Sequence, residues 1–92
     1  MTNYTKGRRV EYEIVHLLES VGYTCTRSAG SHGFWDVIAI NPCSMRLIQA
    51  KVNCKPTKGE MESMMLEQVP NNCSKEIWLR RDGDKSFEIV RV

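Results

Sequence analysis

Trp35-Asp36-Val37-Ile38-Ala39-Ile40 and Arg46-Leu47-Ile48-Gln49-Ala50-Lys51-Val52 are the two stretches whose reading decides the fold. The first is an apolar run opened by a carboxylate and closed by Asn41-Pro42, which reads as a strand ending in a turn. The second also reads as a strand. Side chains two apart on a strand share a face, so Gln49 and Lys51 point one way while Ile48, Ala50 and Val52 point the other. The loop between the two runs is of moderate length, which predicts a hairpin. A carboxylate at the mouth of a buried strand is costly unless something partners it. Pairing of the two strands would bring Asp36 within reach of both Gln49 and Lys51.

The remaining elements follow outward from this pair. Before it, Val10, Ile14, Leu17, Leu18 and Val21 recur with the spacing of one helical face, predicting a helix over 5–21. Thr5 is placed to cap its start, and Gly22 sits where a C-terminal glycine belongs. A strand over 23–27 comes next, followed by the small-residue loop Ser28-Ala29-Gly30-Ser31-His32-Gly33. After the pair, Thr57-Lys58-Gly59-Glu60 has the form of a capping box. Met61, Met64, Met65 and Val69 give the helix it opens an apolar face, read as core packing, and Pro70 ends it. Strands over 76–81 and 86–92 are joined at Asp82-Gly83, a hairpin signal. The order α-β-β-β-α-β-β predicts an α/β fold with a central mixed sheet flanked by helices, in one domain spanning 1–92.

The bulk numbers fit this reading. At 92 residues, 41% hydrophobic and 26% charged, the chain has the composition of an ordinary globular domain. Its core is thin, which dimerisation would help. No apolar run approaches a membrane span and no signal-peptide pattern follows Met1, so the expected location is the cytoplasm, of a cell or of the host of a virus or phage. The net charge of +2 says little by itself, but basic residues gather at Lys6, Arg8 and Arg9 and again at Lys51, Lys55 and Lys58. Such clusters suit a phosphate-binding face or simply a solvated surface. Cys25, Cys43, Cys54 and Cys73 form no CxxC pair, and free thiols are expected in a cytosolic setting. His16 and His32 are too isolated for a metal cluster.

A carboxylate, an amide oxygen and a lysine side by side suit metal-assisted phosphodiester hydrolysis. Hard oxygens hold Mg2+, the ion polarises a phosphate and acidifies a water, and the lysine orients that water and steadies negative charge. The same spacing also fits a structural ion pair between Asp36 and Lys51. The residues alone leave both readings open.

An ordered set of motifs adds to this. Lys6-Gly7-Arg8-Arg9-Val10-Glu11, Arg27-Ser28-Ala29-Gly30-Ser31, Phe34-Trp35-Asp36-Val37-Ile38, Leu47-Ile48-Gln49-Ala50-Lys51, Ile77-Trp78-Leu79 and Phe87-Glu88-Ile89-Val90 follow one another along nearly the whole chain. In this order the chain resembles the archaeal-type Holliday junction resolvases of the PD-(D/E)xK, or restriction-endonuclease-like, nuclease superfamily. The resemblance implies a Mg2+-dependent DNA endonuclease, with Mn2+ able to substitute, acting on branched or four-way DNA as a homodimer. It implies that Glu11, Asp36, Gln49 and Lys51 are catalytic, and that Glu11, Asp36, Gln49 and the Ala50 carbonyl serve the metal. It further implies that Arg8, Arg9, Arg27 and Ser31 contact the DNA backbone. Glu13, on the other flank of the first helix, is not picked out. The chain departs from the family in three places. Gln49 stands where an acid is usual, Trp35 stands where a small residue or proline is common, and the segment between Lys51 and Glu76 is compressed. Two other readings stand beside this one: an active but less selective phage or mobile-element nicking nuclease, and a DNA-binding module whose catalysis is weakened by the Gln49 change.

Overall fold

The computed structural model describes residues 3–27 and 35–92, with side chains from residue 7 onward. The elements are α1 (Asn3–Ser20), β1 (Thr24–Arg27), β2 (Val37–Ile40), β3 (Met45–Val52), α2 (Lys58–Leu66), β4 (Cys73–Arg80) and β5 (Glu88–Arg91), in the predicted order. One sheet carries all the strands in the order β1-β2-β3-β4-β5. Neighbours are antiparallel except β3 and β4, which run parallel because α2 carries the chain back across the sheet between them. The mixed sheet between two helices is the α/β architecture expected.

Strand alternation sends one set of side chains to each helix. Val37, Ala39, Ile48 and Trp78 pack against Val10, Ile14 and Leu18 of α1. Leu47 and Ile77 pack with Trp35 and Met64 of α2 on the other face. Trp35 and Val37 are two residues apart yet lie in opposite layers, so the chain changes course at Asp36, as β2 begins.

Both helices are rolled relative to their apolar patterns. Residues advance by about 100° along a helix. The buried arc of α1 is centred on Ile14 and Leu18 and extends toward Glu11 and Val15. Leu17 falls outside it at 49% exposure, and Val21 lies past the helix end. The expected face is therefore right for Val10, Ile14 and Leu18 and wrong for Leu17 and Val21. On α2, Met64 is fully buried and Met61 is half buried, whereas Met65 is 63% exposed. The arc here swings away from Met65 toward Glu60, which is half buried. Each helix thus turns a glutamate shoulder toward the sheet.

The helix ends explain their own boundaries. At the end of α1, Gly22 takes φ +100°, its N–H donates to the Glu19 carbonyl, and the Tyr23 N–H donates to the Leu18 carbonyl. This double bond from a left-handed glycine is a Schellman motif. Thr5 lies inside α1 rather than at its cap. Thr57 caps α2 and the reciprocal Glu60 bond completes the predicted capping box. α2 stops at Leu66, before Pro70 is reached, because the Lys75 ammonium donates to the carbonyls of Met64, Met65 and Glu67 at 2.6, 3.1 and 2.9 Å.

The Asp82-Gly83 hairpin is wider than the dipeptide suggests. β4 ends at Arg80 and β5 begins at Glu88. Asn53, with φ +62° just past β3, accepts a bond from the Asp82 N–H at 2.8 Å and draws the loop sideways. Gly83 retains a positive φ of 89°.

Candidate active site

The site forms where β2 leaves β3. Val37 pairs with Ile48, so the register continued by one residue sets Asp36 across from Gln49. The Asp36 N–H donates to the Ile48 carbonyl at 2.8 Å. Two residues on, along the same edge of β3, the Ala50 N–H donates to Asp36 Oδ2 at 2.9 Å. The carboxylate thus answers a ladder donor where the strand backbone turns away, which is the partner a carboxylate at a strand mouth requires. Burial is the main force on Asp36 and raises its pKa. The Ala50 bond opposes that, the nearby Glu11 charge reinforces it, and Lys51 and Arg27 oppose it. All these groups are therefore near enough to Asp36 to act on it.

Gln49 is buried, and its Oε1 has no hydrogen-bond partner among the described residues. A buried amide oxygen left unpaired costs about 1–3 kcal/mol, so an unmet acceptor calls for an explanation. The register sets this residue across from Asp36, so a carboxylate and an amide, both carrying hard oxygens, occupy facing strand positions. Among the described residues, no three His, Cys, Asp or Glu side chains gather as a metal-ligating group. The available donor set is instead carboxylate, amide and backbone carbonyl, which fits a hard divalent ion. Gln49 supplies a neutral oxygen where an acid would supply charge.

Lys51 shares a face with Gln49, as expected. Its ammonium meets Glu60 Oε2 at 3.2 Å rather than Asp36, so the ion pair with Asp36 is not formed. Glu11 reaches the sheet from the buried shoulder of α1, where its carboxylate holds Arg27 through Nε at 3.1 Å and through the guanidinium terminus at 3.0 Å. Arg27 also donates to the Tyr12 hydroxyl at 3.1 Å and lies over that ring at 4.4 Å. Burial is the largest single influence and works against its charge, but the bonds and charges of Glu11 and Tyr12 together outweigh it and the pKa is raised. Glu13 faces the other way and pairs with Arg80 at 2.7 Å, so the helix separates the two acids into different environments.

Of the expected DNA contacts, Arg8 and Arg9 are exposed on the first half of α1, and Arg27 is half buried beside Glu11. Arg9 lines a cleft with Val52, Arg80 and Arg81, which puts the start of α1 over the ends of β3 and β4. Ser31, and most of the loop after β1, lie outside the described residues.

Three polar residues were not marked by the motifs. Glu60 is half buried on the first turn of α2, and Glu67 is the exposed C-cap residue just past its end. Glu67 Oε2 accepts from Trp35 Nε1 at 2.8 Å, tying α2 to the residue before Asp36. The capping box signalled Glu60 as a helix cap but not as the partner of Lys51. Glu76 is fully buried and accepts from Arg46 at 2.6 Å, Ser74 at 2.6 Å and Trp78 at 2.9 Å. It sits on the α1 face, the same face as Trp78, toward the other end of β4.

The fold is that of an α/β protein with a mixed five-stranded sheet, and the polar cluster gathers where two of its strands part. The family described as archaeal Holliday junction resolvase (Hjc) matches residues 2–69. The chain belongs to that family. Among solved structures it is similar to Hjc from Archaeoglobus fulgidus, a Holliday junction resolvase from an archaeal hyperthermophile. The TM-score is 0.74 at 19% identity, covering 94% of this chain and 72% of that one. No curated protein sequence matches.

Proposed function

We propose that this protein is a divalent-metal-dependent endonuclease that cuts four-way DNA junctions. The observation that carries the reading is the buried Gln49 Oε1, without a partner among the described residues, on the residue across from Asp36 at the fork between β2 and β3. Family membership supports branched DNA as the substrate.

Asp36 and Gln49 would hold the ion, with the Ala50 carbonyl as a further oxygen and Glu11 contacting a water bound to it. Mg2+ is the ion expected, with Mn2+ substituting. When bound, such an ion polarises the scissile phosphate and lowers the pKa of a water. Lys51 would donate hydrogen bonds to the oxygen of that water and to the phosphate oxygens, fixing the direction of attack. Arg27 neutralises Glu11 and keeps further guanidinium N–H groups for a phosphate. Arg8, Arg9 and Ser31 complete the backbone contacts. Two copies about a two-fold axis would make two symmetric cuts.

The test is cleavage of four-way junction, flap, nicked and linear duplex DNA in Mg2+ or Mn2+. Symmetric nicks confined to the junction are expected. Asp36→Ala and Lys51→Ala should abolish cleavage and leave junction binding largely intact, and undiminished cutting by Lys51→Ala would overturn the mechanism. The neutral oxygen of Gln49 favours one second reading, a junction-binding module with weakened catalysis. Tight binding without cleavage in either metal would decide for it.

A further inference from the structure

We propose that Glu60 is the positioning residue for Lys51, so that the first turn of α2 sets the direction of the lysine on which cleavage depends. The inference rests on the nuclease reading above and deepens it.

The glutamate of a capping box ordinarily does one thing: it covers the free backbone donor at the helix start. Glu60 divides its two oxygens. Oε1 accepts from the Thr57 N–H at 2.9 Å, and Oε2 accepts from Lys51 Nζ at 3.2 Å. The two bonds and the charge of Lys51 together hold the Glu60 carboxyl below its usual range, with the Thr57 bond contributing most. Among the described residues Glu60 is the carboxylate that Lys51 pairs with, while Asp36 is engaged by the Ala50 N–H and Glu11 by Arg27.

An ammonium carries three donors on a flexible stem. Holding one of them on Glu60 directs the remaining two N–H groups, which would hydrogen-bond to the oxygen of a water and to a phosphate oxygen without giving up their protons. α2 is a firm support for this. Its Met64 is fully buried among Trp35, Leu47 and Ile77, and its far end is bonded through Glu67 to Trp35. The helix therefore grips the site at two points, at Lys51 and at the residue next to Asp36.

Glu60→Gln separates the two duties. The amide oxygen can still accept from Thr57, but the group facing Lys51 loses its charge. Thr57→Ala does the converse, loosening the cap and keeping the carboxylate. The full chain is assayed for single-turnover cleavage of a four-way junction, for junction affinity and for melting temperature. Glu60→Gln should slow cleavage by about tenfold or more, with affinity and melting unchanged. Thr57→Ala should lower the melting temperature and leave the rate close to that of the parent. Adding Glu60→Gln to Lys51→Ala should cost nothing further. Parent-like or faster cutting by Glu60→Gln, alongside an inactive Lys51→Ala, would overturn this inference alone. Parent-like cutting by Lys51→Ala would remove the nuclease mechanism and this inference with it. An independent readout is the 15N-detected Lys51 ammonium in the metal-free protein. A slowly exchanging signal that is lost in Glu60→Gln supports the inference, and a signal indistinguishable from that of exposed lysines overturns it.

Discussion

Asp36 and Gln49 show how a site costs stability at the scale of single residues. Burial raises the Asp36 pKa, so the folded chain binds that proton more tightly than the unfolded chain does. Its contribution favours folding below the ordinary carboxylate pKa and is lost as pH rises through the raised value. At neutral pH the ionised Asp36 is therefore a net cost, and Asp36→Asn keeps an oxygen for the Ala50 N–H while removing the charge. We expect Asp36→Asn to stabilise the metal-free protein at pH 7 by about 0.5–2 kcal/mol, with the gain fading in acid, as measured by urea unfolding. Gln49→Glu would restore a negative charge to the oxygen set. It should tighten divalent-ion binding, read as saturation of cleavage at lower Mg2+, and an unchanged metal titration would count against Gln49 as a ligand.

At the scale of elements, the helices do more than cover the sheet. α1 brings Glu11 in on its buried shoulder, and α2 brings Glu60 on its first turn and Glu67 at its C-cap. The C-terminal end of α2 depends on a side chain from β4, because Lys75 donates to three carbonyls there. Lys75→Met keeps the stem and removes the donors. It should cost about 1–2 kcal/mol, in the range of a lost cap or of charged hydrogen bonds, and should speed amide exchange over Met64–Glu67. The apolar spacing of both helices was readable, but their roll was not. Leu17 and Met65 fit the pattern and still face outward, because the position of each helix over the sheet is set by packing with strands distant in sequence.

At the scale of the whole molecule, the two ends of the sheet carry different polar chemistry. One end gathers the candidate site. Toward the other, Glu76 is held beneath Arg46, Ser74 and Trp78. Burial opposes ionisation of Glu76, yet the Arg46, Ser74 and Trp78 bonds outweigh it and hold its pKa below the usual range. That contribution is complete above the ordinary glutamate pKa and is lost as pH falls through the lowered value, so it weakens in acid, opposite in sign to Asp36. Removing the Arg46 partner would leave a buried charge uncompensated. Arg46→Met should cost about 3–5 kcal/mol at pH 7, and the deficit should shrink toward pH 3 in denaturant titrations. A deficit independent of pH would show that Arg46 acts through packing on Tyr23 and Trp78 instead.

Local pattern alone determined the element order, the glycine ending of α1, the cap of α2, the hairpin pairing of β2 with β3, and the shared face of Gln49 and Lys51. These follow from periodicities and backbone preferences that act over a few residues. Family resemblance, rather than pattern, singled out Glu11. Only the tertiary structure decided that Lys51 pairs with Glu60, that Glu11 is bound to Arg27, that Glu76 is buried, and that the Gln49 oxygen has no partner among the described residues. Each of these depends on which distant side chain arrives at a given strand position, and that is settled by the register of the sheet and the roll of the helices upon it. The β2–β3 pair therefore located the candidate site, and the packing around it decided which partners these residues have.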